Sequence, residues 1–507
     1  MLQLEQPKHH WRTVLIVFVL IVAIVAFAGW YKLFRQVDTY YANDLDHWQH
    51  GSIGAEGQQG MPLWIFIVLP RMFPEYLPRP GGWGSLGLPT ATAEELPIGF
   101  TKTTVGIERV GINCAFCHTA TYRLSAGPPT GPPGPEANVK TYIVPAGPSQ
   151  QFRVQQYQRF LWNCANDPRF DSKHIMAEIA RIYKLSTVDS LLYRYVLIPA
   201  TRSALLKQQQ QFSWTSKRPN WLAGRVDPFN GVKYATLKVP MDNTVGNSDM
   251  PSVWNQKARG EGDTFSRHWD GLNPNLKEVV ISSSIGDGSN LSWLNADLKK
   301  WDGTGEGRSN LRRVYDWLLQ APPPKYPLPI DATLAAKGKS IYDANCAECH
   351  EFGGKRTGTI IPAAEVGTDA NRLAMWTQES ATAYINLAAA YPWKMTHFVK
   401  NNGWQACALD GVWLRGPYLH NGSVPTLEDL LKPPEERPKK FYRGYDVLDH
   451  DHVGFVSSGS EAEKYGQLMD TDTSLAQNVG NGNGGHLWGV RLPEDQKKAL
   501  VEYMKTL

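Results

Sequence analysis

Residues 114–118 read Cys-Ala-Phe-Cys-His and residues 346–350 read Cys-Ala-Glu-Cys-His, so each half of the chain carries one C-x-x-C-H pentapeptide. Two thiols one helical turn apart can add to the two vinyl groups of one haem, and the next residue places an imidazole under the iron. A chance C-x-x-C-H has an expectation on the order of 10⁻³ in a chain of this composition. The sequence therefore predicts two covalently bound haem c groups. The predicted attachment and iron-binding residues are Cys114, Cys117, His118, Cys346, Cys349 and His350.

Paired cysteines also occur in zinc sites and in redox dithiols. Neither use explains why histidine follows both pairs, and the separation of the two motifs exceeds that of a compact zinc fold. Cys164 and Cys407 remain outside the motifs. In an oxidising compartment they form either a disulfide or two separate buried thiols.

The N-terminal segment is apolar. Residues 14–30 carry no charge and follow a stretch rich in basic residues and histidine at 8–12. This pattern predicts either a membrane anchor or a secretory signal, with Ala-Phe-Ala at 26–28 resembling a cleavage site. We favour the anchor because the run is longer than a usual signal core and because Trp30 and Tyr31 resemble interface residues. Haem c attachment takes place outside the bacterial cytoplasm, so we predict a single pass through the inner membrane with the bulk in the periplasm, or a secreted periplasmic protein if the segment is cleaved.

The composition is that of a globular protein, with 42% hydrophobic and 20% charged residues, which excludes a disordered or fibrous chain. A formal net charge of +4 over 507 residues, without a long run of Lys or Arg, disfavours nucleic-acid binding. With 18 Trp and 35 Pro we expect a loop-rich fold with aromatic-lined interior sites.

Two proline-rich stretches suggest the organisation of the chain. Residues 127–135 cannot form a helix or a central strand, and residues 321–329 resemble a stiff linker of the polyproline type. We therefore predict a membrane anchor or signal at 1–35, an N-terminal haem domain with insertions at 36–320 and a C-terminal cytochrome c domain at 321–507.

Helical periodicity dominates the remaining sequence, most clearly in residues 150–211, 331–346 and 493–507. Strand signals are few. The apolar run at 63–69 is too short to span a membrane, and we interpret it as a buried strand or a surface-embedded loop. The predicted fold class is mostly α, with two cytochrome c-like haem domains, long loops and an N-terminal transmembrane helix.

The role of each haem depends on its sixth ligand. A haem with two strong ligands transfers electrons, whereas one with an open position binds O₂ or peroxide. Sequence alone leaves many candidates, of which at most two can be ligands. They are His174, His268, His397, His420, His450, His452, His486, Met241, Met250, Met375, Met395 and Met469.

Residues 414–427, Leu-Arg-Gly-Pro-Tyr-Leu-His-Asn-Gly-Ser-Val-Pro-Thr-Leu, resemble the P-Y-x-H-[DN]-G-S-x-x-T-L stretch of the di-haem cytochrome c peroxidases and MauG-type enzymes. Within that superfamily the chain is most similar to the RoxA-type rubber oxygenases and their relatives. The resemblance covers most of the chain from about Leu96 onward. The further segments that carry it are residues 111–114, 252–255, 267–271, 437–441 and 482–486.

The resemblance implies that the N-terminal haem, bound by His118, is the reactive one and that the C-terminal haem, bound by His350, is six-coordinate and relays electrons. In the peroxidases the relay haem takes a Met just beyond the P-Y-x-H motif, but residues 424–434 contain none. The resemblance to the RoxA-like branch then favours His486 as the ligand, with His420 close to this haem without binding iron.

The same resemblance suggests three candidate catalytic residues, Trp254, Trp269 and His268. Trp254 is similar in setting to the tryptophan that bridges the haems in this branch, and Trp269 falls near the distal pocket. Core packing is the alternative for either tryptophan. A peroxidase needs an acid–base group over the open haem, and an oxygenase keeps an apolar pocket. Val253 and Trp269 favour an apolar pocket, whereas His268 or Asp270 could supply acid–base chemistry.

The sequence thus predicts an anchored periplasmic di-haem oxidoreductase that activates H₂O₂ or O₂ at the haem of His118, with electrons passing through the haem of His350. We expect a small cytochrome, a cupredoxin or a quinol-linked donor as the redox partner, contact with the inner membrane through the N-terminal helix, and no nucleic acid. The alternative is a pure electron-transfer cytochrome in which both irons are six-coordinate and no substrate is turned over.

Overall fold

The computed structural model describes residues 10–33, 35–57, 60–90, 96–127, 140–260 and 262–507. The predicted proline-rich loop at 127–135 lies outside the described residues except for Gly127, and so do Lys8 and His9.

One long helix, α1 (His10–Leu33), opens the described chain. Its stretch Trp11–Tyr31 has 21 residues and a mean hydropathy of 2.8, and none of that stretch is buried against the rest of the protein. At 1.5 Å per residue this stretch is about 30 Å long, which matches the hydrocarbon core of a bilayer. The predicted apolar segment is therefore a helix that could be a membrane anchor or a signal sequence.

Ten shorter α-helices of the described chain precede the linker at 321–329. They are α2 (Asp44–His50), α3 (Leu63–Met72), α4 (Val154–Asn166), α5 (Ser172–Ile182), α6 (Thr187–Leu192), α7 (Ile198–Gln211), α8 (Pro228–Ala235), α9 (Leu276–Gly286), α10 (Leu291–Trp301) and α11 (Asn310–Gln320). A π-helical turn at Tyr193–Leu197 joins α6 to α7. The helical region predicted at 150–211 is confirmed.

Eight α-helices follow the linker. They are α12 (Ala332–Asn345), α13 (Ala347–His350), α14 (Ala363–Val366), α15 (Asn371–Met375), α16 (Gln378–Leu387), α17 (Leu427–Leu430), α18 (Gly459–Tyr465) and α19 (Glu494–Met504). The helices predicted before Cys346 and at the end of the chain are confirmed. The Asp331 side chain caps α12 by accepting from the amides of Thr333 and Leu334.

The described strands are short, and every named pair is antiparallel. They are β1 (Gln36–Val37), β2 (Met61–Pro62), β3 (Phe100–Val105), β4 (Ile107–Ile112), β5 (Thr119–Tyr122), β6 (Tyr142–Pro145), β7 (Arg225–Val226), β8 (Ser248–Asp249), β9 (Ile360–Pro362), β10 (Gly403–Gln405), β11 (Lys440–Arg443), β12 (Leu448–Asp449), β13 (Gly454–Phe455) and β14 (Gln467–Asp470). Helix outweighs strand in the described chain, in agreement with the mostly α prediction.

The four-stranded sheet, ordered β1-β3-β4-β2, leads directly into the first C-x-x-C-H motif. Phe100 pairs with Ile112 and Val105 pairs with Ile107, so β3 and β4 form a tight hairpin. Because β4 ends at Ile112, this hairpin determines where the motif begins. The hairpin could not be predicted from the sequence, because threonine, lysine and arginine interrupt the apolar alternation of its strands.

The apolar run at 63–69 is part of helix α3, so its interpretation as a strand or a loop is wrong. Four of its side chains are at most 1% exposed, and Pro62 precedes the first helical residue, where a missing N–H costs nothing. A short apolar run does not distinguish a buried helix from a buried strand by periodicity.

Two large clusters of buried hydrophobic side chains form the core. The smaller is built from residues between Met61 and Met250. The larger contains Trp254 from the N-terminal side of the 320/321 boundary and Trp413 from the other side. The division into haem domains at this boundary stays a prediction.

Helix α12, which leads to the second C-x-x-C-H motif, packs along the C-terminal helix α19. Gly338 allows this approach, because a Cβ at that position would lie 1.9 Å from the Ala499 carbonyl oxygen. The close packing therefore positions Cys346 relative to the end of the chain.

Candidate functional site

Asn113 holds the first C-x-x-C-H motif at the end of β4. Its side-chain oxygen accepts from the Ala115 amide at 3.0 Å and caps the 3-10 turn Cys114–Phe116. Its side-chain nitrogen donates to two carbonyl groups at the end of α2, at 3.0 and 3.1 Å. The turn that presents Cys114 is thus tied to a neighbouring helix.

His118 is oriented by a main-chain acceptor. Its Nδ1 lies 2.8 Å from the Pro251 carbonyl oxygen. When Nδ1–H donates this bond, Nε2 keeps its lone pair for a metal. Burial lowers the pKa of His118 to about 4, so the ring is neutral, as a metal ligand must be.

The second motif repeats this arrangement. Cys346 follows the last residue of α12, and His350 ends the short helix α13. His350 Nδ1 lies 2.7 Å from the Cys407 carbonyl oxygen. Burial disfavours a charge on His350, but hydrogen bonding to Cys407 outweighs it and raises the pKa. Here too the Nδ1 hydrogen bond leaves Nε2 free for a metal.

The ring of His486 faces that of His350, with 6.1 Å between ring centres and 40° between the planes. An imidazole nitrogen binds a transition metal at about 2.0–2.1 Å, so two imidazoles on opposite sides of one iron have ring centres roughly 6 Å apart. Burial lowers the pKa of His486 to about 3, which keeps this ring neutral as well. The pair has the spacing that a six-coordinate iron requires.

The loop that carries His486 is constrained on several sides. His486 has a φ of +50° and follows Gly485 with a φ of +76°. Its amide donates to the Val366 carbonyl at 2.7 Å, and the Arg437 guanidinium donates to the carbonyls of Gly485 and His486 at 2.9 and 3.3 Å. A left-handed non-glycine residue costs about 1–3 kcal/mol and persists where its surroundings determine it. The surrounding contacts therefore hold His486 in place.

The surroundings of His118 differ from those of His350. His268 lines the same cavity, lies within electrostatic range of His118, and has an Nε2 that is buried without a hydrogen-bond partner. Its φ is +66°, and burial lowers its pKa to about 4. The edge of the Phe229 ring packs 5.7 Å from it, centre to centre. In the described part of the chain His118 makes no ring contact like that of His350 with His486.

The neighbours of His268 are already engaged in other bonds. Trp269 lines the cavity and donates from Nε1 to the Asp249 carbonyl at 2.8 Å. Asp270 is buried and accepts from Arg372 at 3.1 Å. Since Asp270 is bound in an ion pair, His268 is the better placed acid–base group of the two that the sequence left open.

Trp254 connects two segments of the chain that carry acceptors for the motif histidines. It is fully buried, and its Nε1 donates to the Asp410 carbonyl at 3.1 Å. Trp254 stands three residues after Pro251, the acceptor for His118, and Asp410 stands three residues after Cys407, the acceptor for His350. The indole therefore links the two segments that orient the predicted iron ligands.

One cavity of about 740 Å³ contains residues of both sites. Its lining includes Cys114, Cys117 and Cys346 with the three histidines His118, His350 and His486. Arg372 and Arg415 also line it, and the Nε of each is buried without a hydrogen-bond partner. An unpaired buried donor costs about 1–3 kcal/mol, and haem propionates would supply acceptors for both guanidinium groups. The residues present thus fit covalently bound haem.

Two of the remaining ligand candidates line the cavity, and the others are engaged elsewhere or lie away from it. His420 lines the cavity and stacks on Trp404 at 3.9 Å, and Met250 also lines it. Met241 is 64% exposed, and the Met469 sulfur contacts Arg225 at 3.2 Å. Those that bind carboxylates or lie in the core outside the cavity lining are His174, His397, His450, His452, Met375 and Met395.

All six cysteines lie in the described chain, and each is unpaired. Cys164 is buried in the smaller hydrophobic cluster, whereas Cys407 lies beside His350. Cys164 and Cys407 are therefore two separate thiols in the structure.

Sequence reasoning missed several groups around the cavity. Asp287 is half-buried and lines it near Cys114 and Cys117, and burial raises its pKa to about 7. Arg372 and the carbonyl acceptors at Pro251 and Cys407 were also missed. A main-chain acceptor has no residue-type signal, and an isolated Asp or Arg becomes a candidate only when the fold shows what it faces.

Two family models match the chain. The model for cytochrome c matches residues 335–417, which include the second C-x-x-C-H motif, and the model described as RoxA-like, cytochrome c-like matches residues 403–443. This region is that of a c-type cytochrome, which implies covalently bound haem c and a haem-based redox or electron-transfer role.

Two relatives from Sinorhizobium fredii are similar over longer stretches. The uncharacterised protein y4iM is 29% identical over 307 residues, which cover 51% of this chain and 64% of that protein. The uncharacterised protein y4iJ is 28% identical over 253 residues, which cover 36% of this chain and 41% of that protein. The chain therefore spans less than two thirds of the length of either relative.

Proposed function

We propose that this protein is a membrane-anchored periplasmic di-haem c oxidoreductase, which activates hydrogen peroxide or O₂ at the site of His118 and relays electrons through the site of His350 and His486. The observation that carries this proposal is an asymmetry. Two imidazoles face each other across the second site, whereas His118 has no such partner among the described residues. A five-coordinate haem c at the first site would supply an open iron position, and a six-coordinate haem at the second would hold a transferable electron.

The residues around His118 suit proton transfer. Reduction of hydrogen peroxide to two water molecules takes up two electrons and two protons. His268 Nε2 is neutral above a pH of about 4, so it can accept a proton from one peroxide oxygen and return it to the other. Phe229 and Trp269 line the same cavity and give it aromatic walls next to His268.

Trp254 supports electron transfer between the two sites. Its indole is fully buried and hydrogen-bonded to the segment that orients His350. The Arg415 guanidinium lies 5.5 Å from the Trp254 ring centre and forms an ion pair with Asp410 at 2.7 Å. This network holds the indole in one orientation, which a bridge between two redox centres requires.

The second site also offers a surface for an electron donor. Trp488 lines the cavity, packs edge-on against His486 at 5.2 Å between ring centres, and is 37% exposed. Leu487 beside it is 55% exposed. This apolar spot next to an iron ligand suits a transient contact with a small cytochrome, a cupredoxin or a quinol-linked donor.

The anchoring part of the proposal is supported by α1. It is long and apolar enough to cross a bilayer, and Trp30 and Tyr31 stand at its C-terminal end, where interface residues are common. Covalent haem attachment takes place outside the bacterial cytoplasm, which supports a periplasmic location for the remainder of the chain.

A pure electron-transfer cytochrome is the second candidate, and one observation favours it. The unpaired Nε2 of His268 lies in the same cavity as His118 and could supply a sixth ligand there. In that case both irons would be six-coordinate and no substrate could bind.

The replacement His268→Gln separates the two candidates. With a reduced small cytochrome as donor, we expect peroxide reduction to fall by about 10²- to 10³-fold at unchanged haem content, because the proton acceptor is lost. The matched control His174→Gln changes an exposed histidine of α5 and should leave the rate as it is. An unaltered rate in His268→Gln, or the appearance of a high-spin haem signal that the parent lacks, would contradict the oxidoreductase proposal.

A further inference from the structure

A strongly apolar surface protrudes from the N-terminal half at residues 183–196, which we call the apolar ridge. It comprises the segment that follows α5, helix α6 and the π-helical turn up to Val196. Its exposed apolar side chains, with their exposed fractions, are Tyr183 (46%), Val188 (59%), Leu191 (53%), Tyr195 (69%) and Val196 (46%).

The apolar ridge is more than a set of scattered hydrophobic residues. Its five large side chains lie within fourteen residues of sequence, and Trp64 of α3 extends it by stacking on Tyr183 at 3.9 Å. Contiguous exposed apolar surface on a soluble protein marks an interaction site. In the described chain outside α1, the other large exposed hydrophobic residues form smaller groups in sequence, of which the largest comprises Val37, Tyr40 and Leu45.

The position of the apolar ridge relates it to α1. Just after this helix, the Arg35 carbonyl accepts from the Gly106 amide at 2.7 Å, so the tip of the β3–β4 hairpin lies at the helix exit. Arg109 on β4 donates to the Val105 carbonyl at 3.3 Å and lies within electrostatic range of Tyr193 in the π-helical turn. The π-helical turn of the apolar ridge therefore lies near the hairpin that contacts the chain just after α1.

The charges around the apolar ridge are mostly positive. The basic side chains are Arg71, Arg109, Lys173, Arg181, Lys184 and Arg194, and the acidic ones are Glu108, Asp171, Glu178 and Asp189. Glu178 is already bound by Arg71 at 3.2 Å and by Arg181 at 2.7 Å. An apolar surface with a basic rim matches a lipid surface with anionic headgroups.

We infer that the apolar ridge inserts into the interfacial region of the same bilayer that α1 spans, and this inference rests on the proposed anchoring. Leu191 and Val188 enter the acyl boundary, and Tyr183 and Tyr195 lie at the headgroup level, as aromatic residues do at membrane interfaces. Arg194 and Lys184 contact anionic headgroups. A spanning helix and a surface contact side by side then fix the orientation of the periplasmic part relative to the membrane, which one helix cannot do.

Photolabelling of the full-length haem-loaded chain tests the inference. The protein is placed in vesicles of equal parts phosphatidylethanolamine and phosphatidylglycerol that contain a lipid with a photoactivatable acyl chain, and labelled peptides are identified by mass spectrometry. We expect label in α1 and in peptides from residues 183–196, and none in peptides around Leu468 and Leu475, which are exposed but distant in sequence.

A double replacement adds a matched control. Leu191→Ser with Tyr195→Ser should lower ridge labelling by more than about fivefold, because the apolar side chains that insert are lost, while labelling of α1 stays unchanged. Leu468→Ser with Leu475→Ser should leave both signals as they are.

The outcomes separate this inference from the anchoring proposal. Label in α1 without label in the ridge overturns the inference alone, and so does a ridge that is shielded by a second copy of the chain or by another protein. Absence of label from α1 overturns the anchoring proposal instead.

Discussion

The sites of His118 and His350 are alike on the Nδ1 side of the histidine and differ on its Nε2 side. In both, the histidine follows a C-x-x-C pair, and its Nδ1 lies 2.7–2.8 Å from a carbonyl oxygen that leaves Nε2 free. Beyond Nε2 the sites diverge. His350 meets His486 with 6.1 Å between ring centres, whereas His118 shares its cavity with His268, whose Nε2 is unpaired.

In the proposed function, the same attachment motif serves two roles, as an electron relay and as a reactive site. The proximal half of each site is built from five consecutive residues and one carbonyl group, so it can occur twice in a chain. The side of each site that the histidine Nε2 faces is supplied by loops that are distant in sequence. At the His350 site these loops contribute a second imidazole, and at the His118 site they contribute apolar side chains and a neutral histidine. In the function we propose, this difference separates an electron relay at the His350 site from a reactive site at His118.

The largest expected effect is on haem content. Cys346→Ser with Cys349→Ser should reduce two haems per chain to one, and Cys114→Ser with Cys117→Ser should do the same at the other site, because each pair forms the thioethers of one haem. The pyridine haemochrome assay and the intact mass measure this number. Cys164→Ser, which changes an unpaired cysteine in the core, should retain both haems. A parent chain that binds a single haem would contradict the prediction of two haem sites.

A second effect concerns the closed site alone. His486→Ala removes the imidazole that faces His350, so we expect the low-spin signal of that haem to become high-spin while the other haem keeps its spectrum. His450→Ala, at a histidine with a 62% exposed side chain, is the matched control. If the spectrum of His486→Ala equals that of the parent, the sixth ligand is another residue, and His420 in the same cavity is then the first to examine.

A third and smaller effect concerns the link between the sites. Trp254→Phe keeps an aromatic ring but loses the hydrogen bond to the Asp410 carbonyl. We expect electron transfer between the haems to slow on the order of tenfold, which corresponds to a barrier higher by about 1.4 kcal/mol. Stopped-flow reduction measures the rate, with Trp301→Phe, a replacement in α10, as the control. A rate equal to that of the parent would remove Trp254 from the route.

The smallest effect is a dependence on pH at the His118 site. Burial raises the pKa of Asp287 to about 7, so its carboxyl group gains a negative charge as the pH rises through that value. Negative charge near the iron favours the ferric state, and the reduction potential of this haem should therefore fall with rising pH, by at most about 59 mV per pH unit. Asp287→Asn should flatten the slope, and Asp302→Asn, at an exposed aspartate, should not. A slope that persists in Asp287→Asn assigns the dependence to another group.

Much of the proximal geometry was predictable, because the chemistry of attachment demands contiguous residues. The helices at α4, α12 and α19 were predictable for a similar reason, since each carries its apolar positions within one short stretch. The helix at 63–69 was not, because a short apolar run suits several buried structures.

The opposite halves of the two sites were harder to predict. His486 emerged only from a resemblance, since nothing in its neighbouring residues distinguishes it from the other histidines. The carbonyl acceptors of Pro251 and Cys407, the unpaired Nε of Arg372 and the half-buried Asp287 carry no sequence signal at all. They become visible only when chain folding brings distant segments to one cavity.

Electron paramagnetic resonance of the oxidised full-length protein, repeated after one-electron reduction, tests the asymmetry most directly. We expect a low-spin haem with two imidazole ligands at the His350 site, together with a high-spin, five-coordinate haem at the His118 site in at least one of the two states. Two low-spin signals in the oxidised protein and no high-spin signal after reduction would contradict this asymmetry and assign the protein to electron transfer alone.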